Sequence, residues 1–206
     1  MHILLDCSPA KLAEYRELYA FEFWQLRTPL TRYARAAGIP YALDNGCFRQ
    51  FNRAVWERML DEAEEDRPVF ITLPDIVGDA ARTLELFEHF KLRCNELPRA
   101  LVLQDGIERV RIPWDDIVAV FVGGSDRFKY SQEAVNACKV AKILGKWVHV
   151  GRVNTAQRAR NWQGLADSID GSGLIREHRE HLGEVLQQLR GHPQQQLEMT
   201  EPEAAA

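Results

Sequence analysis

Cysteine is scarce in this chain, and the few cysteines present are too scattered to form a compact metal site. The four residues, Cys7, Cys47, Cys94 and Cys138, form no CxC or CxxC pair. A zinc site built on clustered cysteines is therefore excluded. We expect these thiols to be reduced and partly buried, and we predict no metal and no cofactor.

Long apolar stretches are also missing. No run approaches the roughly 20 apolar residues that a membrane-spanning helix requires, and the mean hydropathy is −0.33. The first residues, Met1 to Asp6, reach an acidic side chain too early for a secretory signal peptide. The sequence therefore favours a cytoplasmic protein.

Motifs of several common enzyme classes are absent as well. No GxGxxG, and no GxxxxGK followed by Ser or Thr, comes after a predicted strand, which weakens a nucleotide-binding interpretation. There is no GxSxG, no HExxH, and no HxE with a later PCxxC. Hydrolases with a nucleophile elbow, zinc peptidases of that motif and zinc deaminases are therefore excluded.

The length and composition suit one globular domain. Of the 206 residues, 46% are hydrophobic, which allows a sizeable core. We predict a single catalytic domain over residues 1–190. Residues 191–206 are polar and low in sequence complexity, so a flexible C-terminal tail is expected there.

Short apolar segments alternate with longer stretches of helical periodicity, a pattern typical of βαβ units and a parallel sheet. The candidate strands are His2–Asp6, Tyr41–Asp44, Val69–Leu73, Ala100–Gln104, Val118–Val122, Trp147–Val150 and Ala166–Asp170, and an eighth strand could lie within Phe21–Leu30. The candidate helices are Arg53–Glu65, Ala80–Arg93, Gln132–Leu144, Ala156–Trp162 and a closing helix at Leu174–Leu189. We predict an α/β fold, a compact TIM-like (β/α) barrel of seven to eight parallel strands, with an open doubly wound sheet as the alternative.

Polar residues or glycines follow nearly every predicted strand, and this is the most informative pattern in the sequence. Barrel enzymes assemble their active sites from the carboxyl ends of separate strands. The residues at these positions are Asp44, Asn45, Asp75, Gln104, Asp105, Gly123, Gly124, Gly151, Arg152, Asp167 and Asp170. Such residues after a single strand would be explained by a turn, because Asp, Asn and Gly are common in turns. Their presence after nearly every strand predicts a functional site.

The predicted site consists mainly of carboxylates and an amide. A carboxylate can attack an anomeric carbon and can hold a proton, as in retaining glycoside chemistry. A carboxylate also accepts from N1–H and N2–H of guanine, while an amide or a backbone N–H donates to O6. These residue types are suited to reading a purine and to chemistry at a sugar carbon.

The distribution of charge leaves two interpretations open. The net charge of −4 argues against a general nucleic-acid coat, but the segment Arg127–Arg160 has eight basic residues and one acidic residue. Such a segment is either a solvated surface or a face that contacts phosphates. Lys129 and Arg152 follow predicted strands and are our candidates for contacts with a nucleic-acid backbone.

In their order along the chain, the strand-end motifs resemble those of the tRNA-guanine transglycosylase superfamily. Asp44-Asn45-Gly46-Cys47-Phe48 is similar to its Asp-Ser-Gly-Gly-Phe segment, and Val102-Leu103-Gln104 is similar to its Val-Gln-Gly segment. Pro74-Asp75, Gly123-Gly124, Val150-Gly151 and Asp167–Asp170 resemble its remaining motifs. The chain lacks the zinc-binding insertion of the tRNA enzymes. It is therefore more similar to the short branch, the 7-deazaguanine DNA transglycosylases (DpdA-like proteins of phages and bacteria).

This resemblance implies a function and a role for each motif. The function is replacement of guanine in DNA by a 7-deazaguanine of the preQ0 type, through a covalent aspartyl-glycosyl intermediate. Asp170 is expected to be the nucleophile, with Asp167 as the alternative, and Asp44 the acid/base residue. The residues assigned to substrate binding are Asp75, Gln104, Gly123, Gly124, Phe48, Asn45 and Gly151.

The implied partners are DNA with a flipped or single-stranded guanine, the free base, and a protein that opens the duplex. Asn45 and Cys47 depart from the family, which has serine and glycine there. Four alternatives stay open: a tRNA substrate, a hydrolytic guanine glycosylase, an unrelated barrel enzyme for sugar phosphates, and a non-catalytic nucleic-acid-binding subunit.

Overall fold

The eight strands form a closed barrel. The computed structural model describes residues 1–94, 96–176 and 179–191. All neighbouring strands are parallel, and the last strand pairs with the first. The strands are β1 (His2–Leu5), β2 (Trp24–Arg27), β3 (Tyr41–Leu43), β4 (Ile71–Thr72), β5 (Arg99–Leu103), β6 (Ala119–Val122), β7 (Trp147–Val150) and β8 (Ser168–Asp170). The predicted TIM-like barrel is confirmed, and the open sheet is not formed.

The eighth strand lies where the sequence left it open, within Phe21–Leu30. This strand, β2, pairs with both β1 and β3. It is hard to recognise because its buried residues include Gln25 and Arg27, with 0% and 5% of their surface exposed. The Gln25 amide donates to the carbonyls of Cys7 and Ala34 and accepts from the amide of Ala36, so distant backbone groups satisfy it.

Helices cover the outside of the barrel, although some strand connections contain none. They are α1 (Pro9–Tyr19), α2 (Arg53–Glu65), α3 (Ala80–Phe90), α4 (Asp126–Lys129), α5 (Gln132–Ile143), α6 (Ala156–Trp162), α7 (Gly173–Arg176) and α8 (Arg179–Gly191). Short 3₁₀ turns follow α3 and lie between β5 and β6.

The helices differ from the prediction in several places: α4 was not predicted, and the helix predicted over Ala80–Arg93 ends at Phe90 and continues as a 3₁₀ turn. The expected closing helix at Leu174–Leu189 is represented by two helices, α7 and α8. Helix α1 was not predicted, because its sequence is mostly polar and only Leu12 and Tyr15 are buried. Its start is nevertheless marked in the sequence, since the Ser8 side chain caps the helix and Pro9 occupies the first turn.

Side chains along each strand alternate between two apolar cores, as a strand's period of two requires. One core lies between the barrel and the helices and includes Val148, Val150 and Ile169. The other fills the barrel interior with Leu4, Leu26, Ala42, Phe70, Ala100 and Ala119. Three stacked rings, His2, Trp24 and Trp147, lie beside this interior core at the amino-terminal ends of their strands.

The same alternation selects the residues that reach the opposite end of the barrel. Asp44 follows the inward-facing Ala42, and Gln104 lies two residues after the pocket-lining Val102. Both therefore continue the inward-facing series to the carboxyl ends of the strands. In the described part of the chain, no helix is long and apolar enough to cross a membrane. Of the expected tail, residues 192–206 lie outside the described residues.

Candidate active site

A cavity of about 180 Å³ opens at the carboxyl ends of the strands. Its size suits a compact ligand, because clefts for drug-sized molecules typically measure about 300–1,000 Å³. The lining includes these predicted site residues: Asp44, Asn45, Phe48, Asp75, Gln104, Gly123, Gly124, Lys129, Gly151, Arg152 and Asp170. The structure thus brings together every residue predicted to be catalytic, to bind substrate or to contact phosphate, except Asp167. Asp105, which also follows a predicted strand, does not line the cavity.

Asp44 lies immediately after β3, beside two other acidic groups. Burial raises the pKa of its carboxyl group to about 7, and the charges of Asp170 and Asp75 contribute to the increase. Backbone hydrogen bonds from Gly46 and Asn45 oppose this increase only in part. A group with a pKa near neutrality can both release and accept a proton during turnover.

Asp75 is held by two side-chain amides. The Asn45 Nδ2 group donates to Asp75 Oδ1 over 2.8 Å, and Gln104 Nε2 donates to Oδ2. Burial raises the pKa of Asp75, while the hydrogen bonds from Asn45, Cys47 and Gln104 lower it in part. The two amides fix the plane of the carboxylate and leave its remaining lone pairs for a ligand.

The two amides that hold Asp75 are themselves fixed. Gln104 Oε1 accepts from the amide of Gly78 over 2.9 Å, which decides the orientation of its side chain. Asn45 donates to the carbonyl of Leu73 and accepts from the amide of Cys47 over 2.8 Å. Asn45, predicted as a substrate contact, therefore also organises the loop and positions Asp75.

The Gly123–Gly124 loop approaches Gln104 closely. A Cβ atom on Gly123 would lie 2.6 Å from Val102 Cγ1 and 3.0 Å from Gln104 Nε2. Gly124 has a φ of +69°, and a Cβ there would lie 2.6 Å from the Phe128 ring. Glycine is required at both positions, so this loop presents backbone rather than side chains to the cavity.

A carboxylate fixes the same loop from the side. Asp105 accepts from the amide of Ser125 over 2.9 Å and from its hydroxyl over 2.6 Å. Burial would raise the pKa of Asp105, but these hydrogen bonds outweigh it and lower the pKa. Among the described residues, none accepts from the Gly124 amide. That N–H group therefore stays available to a ligand.

Asp170 ends β8 and contributes its carboxylate to the cavity. His149 Nε2 lies 3.0 Å from Asp170 Oδ1. Gly151, at the end of β7, makes room for this carboxylate, because a Cβ there would lie 3.3 Å from Oδ1 and 2.7 Å from the Phe121 ring. His149 is a site residue that the sequence did not predict.

Asp167 does not belong to this site, and its assignment as the alternative nucleophile is not supported. Its carboxylate accepts from Lys142 Nζ over 2.6 Å and from the amide of Val148 over 2.8 Å, before β8 begins. The physical reason is the geometry of a strand. Residues three apart lie on opposite faces, and Asp170 is about 10 Å further along.

Lys129 is part of the cavity wall and not of the outer surface. Only 5% of its surface is exposed, and its Nζ donates to the carbonyl of Gly151. Burial lowers its pKa to about 7, the nearby charge of Arg152 adds to this, and the charge of Asp170 opposes it. A contact from Lys129 to a backbone phosphate would therefore require that phosphate to enter the cavity.

Arg152 lies at the rim of the cavity, beside Phe48. Its guanidinium group is 4.3 Å from the centre of the Phe48 ring and donates to the carbonyl of Gly124. Phe48 is 58% exposed, so an aromatic surface faces solvent at the entrance. Both residues are positioned to meet a ligand that approaches the mouth of the barrel.

The basic segment Arg127–Arg160 does not form one continuous face. Arg127, Arg152 and Arg158 lie in the loops and helix starts beyond the carboxyl ends of β6 and β7. Lys142 contacts Asp167, and Lys146 donates to the carbonyl of Ile117, both at the amino-terminal ends of the strands. A phosphate-binding surface at the mouth would therefore include only part of the segment.

Several lining residues were not identified from the sequence. They are Asp6, Leu26, Thr28, Leu30, Arg49, Val77, Val102, Phe121 and Ser172. Two of them could have been predicted from the alternation of side chains along a strand. Asp6 lies two residues after the inward-facing Leu4, and Thr28 lies two residues after the inward-facing Leu26. Thr31 donates to the Asp6 carboxylate over 2.5 Å, which ties the β2 loop to the end of β1.

In the described ranges, no group of three or more His, Cys, Asp or Glu side chains is arranged to hold a metal ion. The four cysteines are free. Cys47 lies between the cavity-lining residues Asn45 and Phe48, and burial raises the pKa of its thiol to about 12. This thiol is therefore protonated at neutral pH and is a poor nucleophile.

Comparison with known proteins supports the fold. A crystal structure of a BexX/CysO complex from Amycolatopsis orientalis is similar to this chain, with a TM-score of 0.54 and 12% sequence identity. The match covers 100% of this chain and 94% of that one. At this identity the similarity concerns the fold alone. No protein-family model and no curated protein sequence matches the chain.

The arrangement combines three chemical capacities in one cavity. Asp170 contributes a carboxylate to the cavity wall, Asp44 has a pKa near neutrality, and Asp75 with Gln104 forms a fixed hydrogen-bonding edge. Such an edge complements a planar ligand that has adjacent donor and acceptor groups. The apolar side chains Leu26, Val102 and Phe121 complete the lining.

Proposed function

We propose that this protein is a transglycosylase that replaces guanine in DNA with a 7-deazaguanine base. The observation that carries the proposal is the convergence of Asp44, Asp75, Gln104 and Asp170 in one cavity, with Gln104 donating to Asp75. Each residue has the chemical character that the reaction needs. The resemblance of the strand-end motifs to the transglycosylase superfamily supports the same conclusion.

In the first half of the reaction, Asp170 forms a covalent bond to the sugar. A carboxylate oxygen attacks C1′ of a deoxyguanosine, and the bond between C1′ and N9 breaks. The electron pair of that bond goes to guanine, and the protonated Asp44 carboxyl supplies the proton that makes guanine a neutral leaving group. The product is a glycosyl ester of Asp170 and free guanine.

The second half reverses these steps with the incoming base. Asp44, now ionised, takes the proton from N9 of the 7-deazaguanine. N9 attacks C1′, the ester bond breaks, and the Asp170 carboxylate is restored. Two displacements at C1′ retain the configuration of the sugar. A pKa of about 7 for Asp44 suits both directions of proton transfer.

The hydrogen-bonding edge accounts for the choice of base. Asp75 accepts from N1–H and N2–H of guanine, while the Gly124 amide donates to O6. Gln104 orients Asp75 and has a second amide hydrogen for O6. Position 7, which is N7 in guanine and C7 in 7-deazaguanine, takes no part in these contacts. The two bases therefore make the same hydrogen bonds. The target nucleotide must leave the base stack to enter the cavity.

The decisive experiment is mass spectrometry of nucleosides. Single-stranded DNA, duplex DNA and tRNA are each incubated with the protein, with and without a 7-deazaguanine of the preQ0 type. We expect a deazaguanine deoxynucleoside in DNA together with one equivalent of released guanine. Exchange confined to tRNA, or guanine release that leaves abasic sites without added base, would contradict the proposal.

One observation favours a second candidate, an enzyme that forms an imine with a sugar phosphate. The buried amine of Lys129, with its pKa near 7, is partly uncharged at neutral pH and faces the cavity. It would attack a carbonyl carbon, with loss of water. Reduction with borohydride in the presence of ketose phosphates would then trap a covalent adduct. This candidate leaves the pairing of Asp75 with Gln104 without a role.

A further inference from the structure

His149 lies inside the barrel, directly beneath the candidate active site. None of its surface is exposed, and its ring packs against Phe121 and Phe70, with centroid distances of 4.6 Å and 5.2 Å. A polar ring in such surroundings needs a hydrogen-bond partner for each nitrogen. Its two partners are Ser168 and Asp170, both on the neighbouring strand β8.

The side chains of Trp147, Ser168, His149 and Asp170 form a continuous series of hydrogen bonds. Trp147 Nε1 donates to Ser168 Oγ over 2.8 Å, because an indole nitrogen can only donate. Ser168 Oγ lies 2.8 Å from His149 Nδ1, and His149 Nε2 lies 3.0 Å from Asp170 Oδ1. This series of hydrogen bonds alternates between β7 and β8 and ends at the Asp170 carboxylate in the cavity.

The direction of the last hydrogen bond follows from its acceptor. An ionised carboxylate only accepts, so the hydrogen must lie on Nε2 of His149. Ser168 Oγ lies against Nδ1, and Trp147 Nε1 holds Ser168 Oγ in turn. These contacts orient the imidazole ring so that Nε2 faces Asp170 Oδ1.

The consequence concerns the other carboxylate oxygen. His149 is bonded to Oδ1, and among the described residues no donor contacts Oδ2 of Asp170. We propose that His149 is a positioning residue, which fixes Asp170 through Oδ1 so that Oδ2 is presented to C1′. This inference rests on the proposed function, because it assigns a role within the same covalent step. His149 does not contact the base and transfers no proton.

The test compares two replacements of similar size. His149→Gln keeps an N–H donor near the position of Nε2, whereas His149→Met fills the space without a donor. Base exchange into DNA is measured with labelled guanine, and kcat is separated from the KM for the free base. We expect kcat to fall about 100-fold in the methionine variant, the loss typical of a misplaced reacting group. The KM should change by less than about twofold, because Asp75 and Gln104 are untouched.

The glutamine variant distinguishes positioning from packing. If His149 acts through its hydrogen bond, the kcat of His149→Gln lies within about tenfold of the wild type. Equal losses in both variants, or unchanged kcat in His149→Met, would overturn the inference. Far-ultraviolet circular dichroism and thermal unfolding establish that each variant folds. If His149→Met does not fold, Ser168→Ala replaces it, and its kcat is expected to fall about tenfold at constant KM.

Failure of the proposed function and failure of the role of His149 give different experimental results. A wild-type protein that exchanges no guanine overturns the proposed function, and the role of His149 falls with it. A wild-type protein that exchanges guanine, beside a His149→Met variant with the same kcat, overturns only the role of His149. The same holds if Ser168→Ala has the kcat of the wild type.

Discussion

At the scale of single residues, the site depends on how the environment of each carboxylate sets its chemistry. Asp44, Asp75 and Asp170 line one cavity, yet their partners differ. Asp44 is buried beside other acids, Asp75 is fixed by two amides, and Asp170 is bonded to a histidine. Different surroundings thus assign different roles to identical side chains.

The raised pKa of Asp44 predicts a dependence of stability on pH. In the unfolded chain this carboxyl ionises near 3.8, whereas in the folded protein it ionises near 7. Between these values the folded state keeps a proton that the unfolded state releases, so Asp44 destabilises the fold increasingly as the pH rises. Replacement by asparagine removes that penalty.

We therefore expect Asp44→Asn to be more stable than the wild type at pH 8, by up to about 4 kcal/mol. At pH 5 the gain should be smaller. Chemical denaturation of both proteins at the two pH values measures the difference. An equal difference at pH 5 and pH 8 would mean that Asp44 has an ordinary pKa.

The hydrogen bonds of Asp75 predict a loss of base recognition in Asp75→Asn. Whichever carboxylate oxygen it replaces, the NH₂ group of an asparagine faces N1–H or N2–H of guanine as well as Asn45 or Gln104, all of which donate. An unpaired buried donor costs about 1–3 kcal/mol, so the KM for guanine should rise roughly 5- to 150-fold. The control is Asp115→Asn, at an exposed position outside the cavity. Unchanged KM in Asp75→Asn would exclude this residue from base reading.

Most site residues were predictable from the sequence, because they follow predicted strands. Whether such a residue reaches the cavity depends on which face of its strand it occupies. Asp44, Gln104 and Asp170 continue inward-facing series, which alternation within a strand predicts. The same rule separates Asp167 from Asp170. His149 was not assigned to the site from the sequence. Its position two residues after the inward-facing Trp147 was a usable signal for a role beneath the site.

At the scale of elements, short strands and glycine turns determine where the site residues converge. β4 contains only Ile71 and Thr72, yet the loop after it places Asp75 against Asn45 and Gln104. β2 escaped a firm prediction because Gln25 and Arg27 are satisfied by partners far away in sequence. The sequence of a strand does not show that its buried polar side chains have hydrogen-bond partners elsewhere in the chain. Apolar strands need no such partners and are recognised from their own sequence.

The loop after β6 gives a prediction at this scale. In Gly123→Ala the added methyl group meets Val102 and Gln104, and Gln104 must move away from Asp75. Overpacking of this kind costs about 1–3 kcal/mol, and for a chain of this size each kcal/mol lowers the Tm by about 2–4 °C. We expect a lower Tm and about a tenfold higher KM for guanine.

Gly183→Ala is the matched control, because a Cβ on this helical glycine of α8 meets no atom within 4 Å. It should leave the KM unchanged and raise the Tm slightly. If both glycine variants behave alike, the close approach of Gly123 to Gln104 has no part in base binding.

At the scale of the whole molecule, closure of the barrel separates charges that are neighbours in sequence. Helix α5 carries the chain from the mouth back to the amino-terminal ends of the strands, so Lys142 and Lys146 lie far from Arg127 and Arg152. A count of charges along the sequence cannot show this separation. Any phosphate-binding surface that this segment forms at the mouth is therefore limited to the residues that lie there.

This division predicts how binding of DNA responds to salt. Each phosphate contact contributes a slope of about −0.9 on duplex DNA in a plot of log K against log salt concentration. The double variant Arg127→Gln/Arg152→Gln should flatten the slope by up to about 2. Lys142→Gln/Lys146→Gln, with the same loss of charge at the other end of the barrel, should leave it unchanged. Equal slopes in both variants would show that the mouth is not the DNA-binding surface.

The central claim is that Asp170 forms a covalent bond with the sugar of the target nucleotide. The direct measurement is denaturing gel analysis of protein–DNA adducts for the wild type, Asp170→Asn and Asp167→Asn. We expect an adduct in the wild type and in Asp167→Asn, because Asp167 lies outside the cavity and contacts Lys142. We expect none in Asp170→Asn, whose amide cannot attack C1′ effectively. An adduct that persists in Asp170→Asn, or that disappears in a folded Asp167→Asn, would contradict the account.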